Sequence, residues 1–162
     1  MKTLGVVGLF LICAAISLGQ KPSKGIEVKY DKFQDETQVR TDLFYPQKRA
    51  PTVWFEFWHP GPVQKEEVSE FYIYFESDCT DRYCFRSGDQ LIFRINDERL
   101  LKKEADISSS GDVTRYILTR DEMQRLASAT MIEYQVADLE GAIRTKDLPR
   151  IQAFLNFATT KK

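Results

Sequence analysis

The chain is poor in the residues on which metal centres and many active sites depend. It has one histidine, His59, and three cysteines in 162 residues. A zinc site usually takes several His or Cys ligands. Only His59 with Cys79 and Cys84 offers such a set here, and in an oxidising compartment the two cysteines would sooner oxidise. A Ser-His-Asp triad would have to use the same histidine, and no Gly-x-Ser-x-Gly elbow is present. His59 runs into Pro60-Gly61-Pro62, which predicts a turn at a strand end. Glu76, Asp78, Asp81 and Asp89 lack the spacing of a calcium loop and are interleaved with Arg82 and Arg86, so they read as a solvated loop. No nucleotide-binding motif occurs. These scarcities predict no catalytic residue, no metal and no cofactor.

An excess of positive charge is also lacking. Lys and Arg number 23 against 24 for Asp and Glu. Nucleic acid is thereby excluded as a partner, and no polybasic segment addresses a membrane surface. The lysines at Lys21, Lys24 and Lys161-Lys162 lie near the termini and read as solvated tails. No apolar run reaches bilayer-spanning length. The longest, Leu4 to Leu18, is shorter than the ~20 residues a span needs. With Lys2 before it and Ser17-Leu18-Gly19 after it, this run reads as a secretory signal peptide over 1–19, cleaved before Gln20. A lipidated Cys13 is the alternative, but bulky Ile12 stands where such signals want a small residue. The expectation is an exported protein, periplasmic or extracellular, with no stable membrane insertion after cleavage. Residues 20–25 then form a linker and 26–160 a single domain.

What is present is period-two alternation. Ile26 to Tyr30, Gln38 to Phe44, Thr52 to Trp58, Phe71 to Phe75, Leu91 to Ile95 and Val113 to Leu118 each read as strands. Asn96-Asp97-Glu98-Arg99 supplies turn chemistry, and a turn there would set Ile95 opposite Leu100 in a hairpin. The period changes at Thr119-Arg120-Asp121-Glu122, a capping box that opens a short helix. Ile132 to Val136 is again a strand, Leu139-Glu140-Gly141 a turn, and Ala142 to Thr145 pairs back. Pro149 opens a last helix whose apolar stripe is Ile151, Phe154, Leu155 and Ala158. The predicted class is mainly β: an antiparallel β-sandwich of eight to nine short strands with two short helices, one at the C-terminus. Val53, Phe55, Phe57, Phe71, Ile73, Phe75, Leu91, Phe93 and Ile95 form its predicted core.

The segment Tyr30-Asp31-Lys32-Phe33-Gln34-Asp35-Glu36-Thr37 resembles the opening of a group of small exported bacterial β-sandwich domains, which begin Tyr-Asp-x-Phe-x-Asp-x-Thr. The hairpin around Asp97-Glu98-Arg99, the capped helix feeding a strand and the closing helix are similar as well. The resemblance implies a β-sandwich exported from a bacterium. The group has no assigned biochemistry, so no functional residue is carried over. Glu98 stands where the group has glycine, which argues against a type I′ turn at that point.

One surface is rich enough to bind something. Trp54, Trp58, Tyr72 and Tyr74 alternate onto one face of two strands. Such rings stack on sugars or anchor a protein partner. Alternatively, the C-terminal helix covers that face and buries Ile151, Phe154 and Leu155 against it. The functional expectation is an exported cell-envelope domain acting as a non-enzymatic binding or accessory module, with an envelope protein or glycan as partner. The alternative is an envelope polysaccharide or peptide hydrolase with carboxylate catalysis, whose acid pair cannot be nominated because its separation is three-dimensional. Cys79 and Cys84, separated by four residues in one polar loop, are expected to form a disulfide.

Overall fold

The computed structural model describes residues 25–43, 51–77, 85–86, 88–102, 106–107 and 111–160. The predicted leader, the linker up to 24 and both Cys79 and Cys84 lie outside them. Within them the chain forms β1 (Ile26–Asp31), β2 (Glu36–Asp42), β3 (Thr52–Pro60), β4 (Glu70–Glu76), β5 (Leu91–Ile95), β6 (Glu98–Lys102), the two-residue β7 (Asp106–Ile107), β8 (Val113–Thr119), α1 (Arg120–Ala127), β9 (Ile132–Val136), β10 (Leu139–Ile143) and α2 (Leu148–Thr159). The strands make two antiparallel sheets, one in the order β1-β2-β3-β4-β8-β7 and one in the order β10-β9-β5-β6. The mainly β class with two helices, the second at the C-terminus, is as the alternation predicts.

One continuous apolar core joins the sheets and helices. All nine residues predicted for it are buried. Phe75 of β4 meets Tyr134 of β9 with ring centroids 5.2 Å apart, which ties the first sheet to the second. Further along the same inner face, Phe154 of α2 packs on Phe55, Phe57 and Phe71 at 6.1, 5.2 and 6.2 Å. The helix therefore covers the Val53-Phe55-Phe57 face of β3, not the Trp54-Trp58 face. The alternation alone could not decide this, because both faces of β3 are aromatic.

Three turns differ from expectation. The β5–β6 turn is Asn96-Asp97, both left-handed at φ 47° and 74°, so Ile95 opposes Glu98 and Phe93 opposes Leu100. This is a two-residue turn of type I′ character after all. Glu98 is already in the strand and carries no strain. Asn96 tolerates the conformation because its amide is useful there: its Oδ1 accepts from Thr130 N, Thr130 Oγ1 and Met131 N at 2.9, 3.0 and 3.1 Å. The β9–β10 turn is Ala137-Asp138, and Leu139 to Gly141 lies in β10. Finally, β3 runs through His59 and Pro60, so His59 is a buried strand residue on the inner face and not a turn residue.

The capping box forms as read. Thr119 N donates to Glu122 Oε2 at 2.8 Å, and Glu122 N donates to Thr119 Oγ1 at 3.3 Å. Pro149 stands in the first turn of α2, where no amide hydrogen is needed.

Candidate functional site

Strand period two sends Trp54, Glu56 and Trp58 to the outer face of β3, and Tyr72 and Tyr74 to the same face of β4. The register sets Trp54 opposite Tyr74 and Glu56 opposite Tyr72. All four predicted binding residues therefore meet in one strip. Trp54 and Tyr74 stack at 4.9 Å, and Trp58 meets Tyr72 and Tyr74 edge-on at 4.8 and 6.4 Å. Trp54 is buried, while Trp58, Tyr72 and Tyr74 are half-exposed. The ring contacts of α2 with Phe55, Phe57 and Phe71 lie on the opposite side of the sheet. On this outer face Ile117 of β8, opposite Tyr72, is 49% exposed.

The strip has an ionic scaffold that residue patterning did not single out. Glu56 is 4% exposed. Its Oε1 accepts from Trp54 Nε1 at 2.9 Å, and Arg40 Nη1 lies 4.0 Å away. The Arg40 guanidinium sits 4.4 Å from the Trp54 ring, and that of Arg115 sits 5.4 Å from the Tyr72 ring. Glu56 was visible in the sequence as an acid between two tryptophans, which is the signal that marks a residue held by its neighbours. Burial pushes the Tyr74 phenol up to about 12, although a hydrogen bond with Arg115 works the other way. Burial and the neighbouring Glu70 raise that of Tyr72. Both phenols stay protonated through the neutral range, and Tyr72 donates its hydroxyl to Glu70 Oε2 at 3.3 Å.

At the Trp58-Tyr72 end the strip opens into a cleft of about 710 Å³. Its lining includes Trp58, Tyr72, His59, Pro60 to Val63, and Lys65 to Glu70, with Asp35 and Glu36 from the β1–β2 turn. The β1–β2 turn is built by the acids of the Tyr-Asp-x-Phe-x-Asp-x-Thr segment. Asp31 Oδ1 accepts from Phe33 N at 2.8 Å, and Tyr30 donates its hydroxyl to Asp35 Oδ1 at 2.8 Å. Gly61 is clamped to that turn: its N–H donates to the Asp35 carbonyl at 2.7 Å, and Thr37 Oγ1 donates to its carbonyl at 2.6 Å. Gly61 has φ 71°, a left-handed value that suits glycine and lets the chain turn away from β3. The segment after it is anchored to the rest of the fold. Gln64 is buried and its amide donates to the carbonyls of Ala158 and Glu66, which pins the cleft wall to the end of α2.

His59 lines this cleft but is itself buried, with its Nδ1 3.1 Å from the Pro60 carbonyl. No group of three or more His, Cys, Asp or Glu side chains among the described residues is arranged to hold a metal ion. No helix among them is long and apolar enough to cross a membrane. No protein-family model matches the chain, and neither a curated protein nor a solved structure is similar to it.

Proposed function

We propose that the chain is an exported, non-enzymatic binding module whose ligand lies on the outer aromatic strip. The observation that carries this is the placement of α2. It packs on Phe55, Phe57 and Phe71, which leaves Trp58, Tyr72 and Tyr74 half-exposed beside an open cleft. Rings presented in a fixed plane on a sheet lose little side-chain freedom when a ligand stacks on them. The Glu56-Arg40-Trp54 contacts hold that plane in advance. Export is supported by the leader-like residues 1–19. A Cys79–Cys84 disulfide belongs to the same proposal. It rests on the short spacing of the two cysteines in a polar loop and on the oxidising compartment that export implies.

A hydrolase is the second reading, because the cleft holds carboxylates beside a ring pair. It ranks lower. Asp35, Glu66, Glu67 and Glu70 are exposed and Glu36 is half-exposed, whereas a general acid is kept protonated by an apolar surround.

Calorimetric titration of the mature protein with soluble peptidoglycan oligosaccharides and with short envelope-type peptides tests the binding reading. A heat of binding that Trp58→Ala abolishes supports it. Release of new reducing ends during the titration would favour the hydrolase instead.

A further inference from the structure

The outer face carries more information about its ligand than its rings alone. Five carboxylates line the cleft, on Asp35, Glu36, Glu66, Glu67 and Glu70, against the single cation of Lys65. Arg120 pairs with Glu67. The remainder is a local negative excess in a chain whose formal net charge is only -1. Like charges gathered around one opening repel one another, and a cation entering it relieves that repulsion.

The rings point the same way. The strip already carries two guanidiniums of its own, Arg40 over Trp54 and Arg115 over Tyr72. Among the described residues no cation lies over Trp58, the tryptophan at the cleft end. Indole is the best of the aromatic faces for a cation, and carboxylates beside it strengthen the site. The cleft is also far larger than one ammonium group, within the usual range for sites that hold several ligand groups. It continues into the strip through Tyr72.

We infer that this end of the outer face docks a basic peptide segment of a partner protein, with a Lys or Arg side chain laid on Trp58 and its charge met by Glu36, Glu66 and Glu70. The inference rests on the reading of the outer face as a binding surface. Charge complementarity selects the partner: an acidic or neutral segment would bring no cation to Glu36, Glu66 and Glu70.

The test uses fluorescence anisotropy of labelled hexa-arginine and hexa-glutamine peptides with the mature protein. Hexa-arginine should bind, and hexa-glutamine should not. Glu36→Gln with Glu70→Gln should weaken hexa-arginine binding about tenfold, as should Trp58→Ala. The control pair Glu27→Gln with Glu140→Gln removes the same charge from exposed positions elsewhere and should stay within about twofold of the parent. Circular dichroism checks that Trp58→Ala folds, and the conservative glutamine pair tests the site independently of it. Absence of hexa-arginine binding overturns the inference. Equal loss in both glutamine pairs also does, since it marks non-specific attraction. Equally tight binding of spermidine does so as well, because it marks a small-cation pocket. Should an oligosaccharide bind in a Trp58-dependent way while hexa-arginine does not, the binding surface stands and only its basic partner falls. If Trp58→Ala alters neither, both readings fall.

Discussion

Trp54 and Tyr74 face one another across β3 and β4 with ring centroids 4.9 Å apart and planes 2° from parallel. Arg40, on the strand at the other flank, covers the same indole. The two tryptophans of the strip thus have different tasks. Trp54 is buried and structural, while Trp58 is half-exposed. Trp54→Ala is expected to cost about 3–4 kcal/mol, and Trp58→Ala about 1–2 kcal/mol, because less area is lost. Urea unfolding of both variants measures the difference. Equal losses would show that the two indoles are equivalent.

Glu122 gives a pH dependence whose sign can be worked out. Burial opposes its charge, but Lys102 Nζ donates to both its oxygens at 2.9 Å and Thr119 N donates at 2.8 Å, so its pKa falls below the ordinary 4.5. A carboxyl with a lowered folded pKa contributes stability in full above its unfolded value and loses it as pH falls through the folded one. Glu122→Gln should therefore be less stable than the parent by about 1 kcal/mol at neutral pH. The gap should close as the solution is acidified below 4.5. Urea midpoints across that range decide it, and a gap that widens on acidification would contradict the assignment.

Gly141 lies opposite Tyr134 in the β9–β10 ladder. A Cβ at 141 would meet the Tyr134 hydroxyl and sit 2.5 Å from its Cζ. Gly141→Ala is expected to destabilise by about 1–3 kcal/mol. The cost should largely disappear in a Tyr134→Ala background, where nothing remains to clash. A double-mutant cycle by thermal unfolding measures the coupling; purely additive losses would mean that the ring moves aside freely.

If the chain is exported as proposed, Cys79 and Cys84 should be bridged. Thiol titration after denaturation without reductant should find no reactive thiol, and two per chain would refute the bridge. If it is present, Cys84→Ser should lower stability by about 2 kcal/mol or less, the loop-closure value for so short a ring.

Much of this fold is legible in the chain because period two is unambiguous where one face is apolar. Phe71, Ile73 and Phe75 alternate with polar-tipped rings, and Leu91, Phe93 and Ile95 with Ile92 and Arg94, so their buried face is readable. The Thr119 box has a fixed spacing and defines α1. Turn positions were less accessible. Asn96-Asp97 is a good left-handed pair, but Asp97-Glu98 competes with it locally, and only the contacts of Asn96 with Thr130 and Met131 decide between them. The four rings of the site could be gathered from alternation. The cleft could not, because its walls come from the β1–β2 turn and from 61–70, brought together by hydrogen bonds from Gly61 and Thr37.

Glu56 acquires a further meaning from the two-sided character of β3. Slipping that strand by one residue against its neighbours would exchange Trp54 and Trp58 for Phe55 and Phe57. Counted in apolar area alone, the exchange is nearly neutral, so a folding chain meets two competing alignments of similar oiliness. The slip would drive the Glu56 carboxylate among Phe71, Phe154 and Ile73, where neither Arg40 nor the Trp54 indole could reach it. An unpaired carboxylate in such a place costs several kcal/mol. One acid in the middle of a greasy strand thus tells the chain which side is out, and it does so by penalising the wrong answer more than by rewarding the right one.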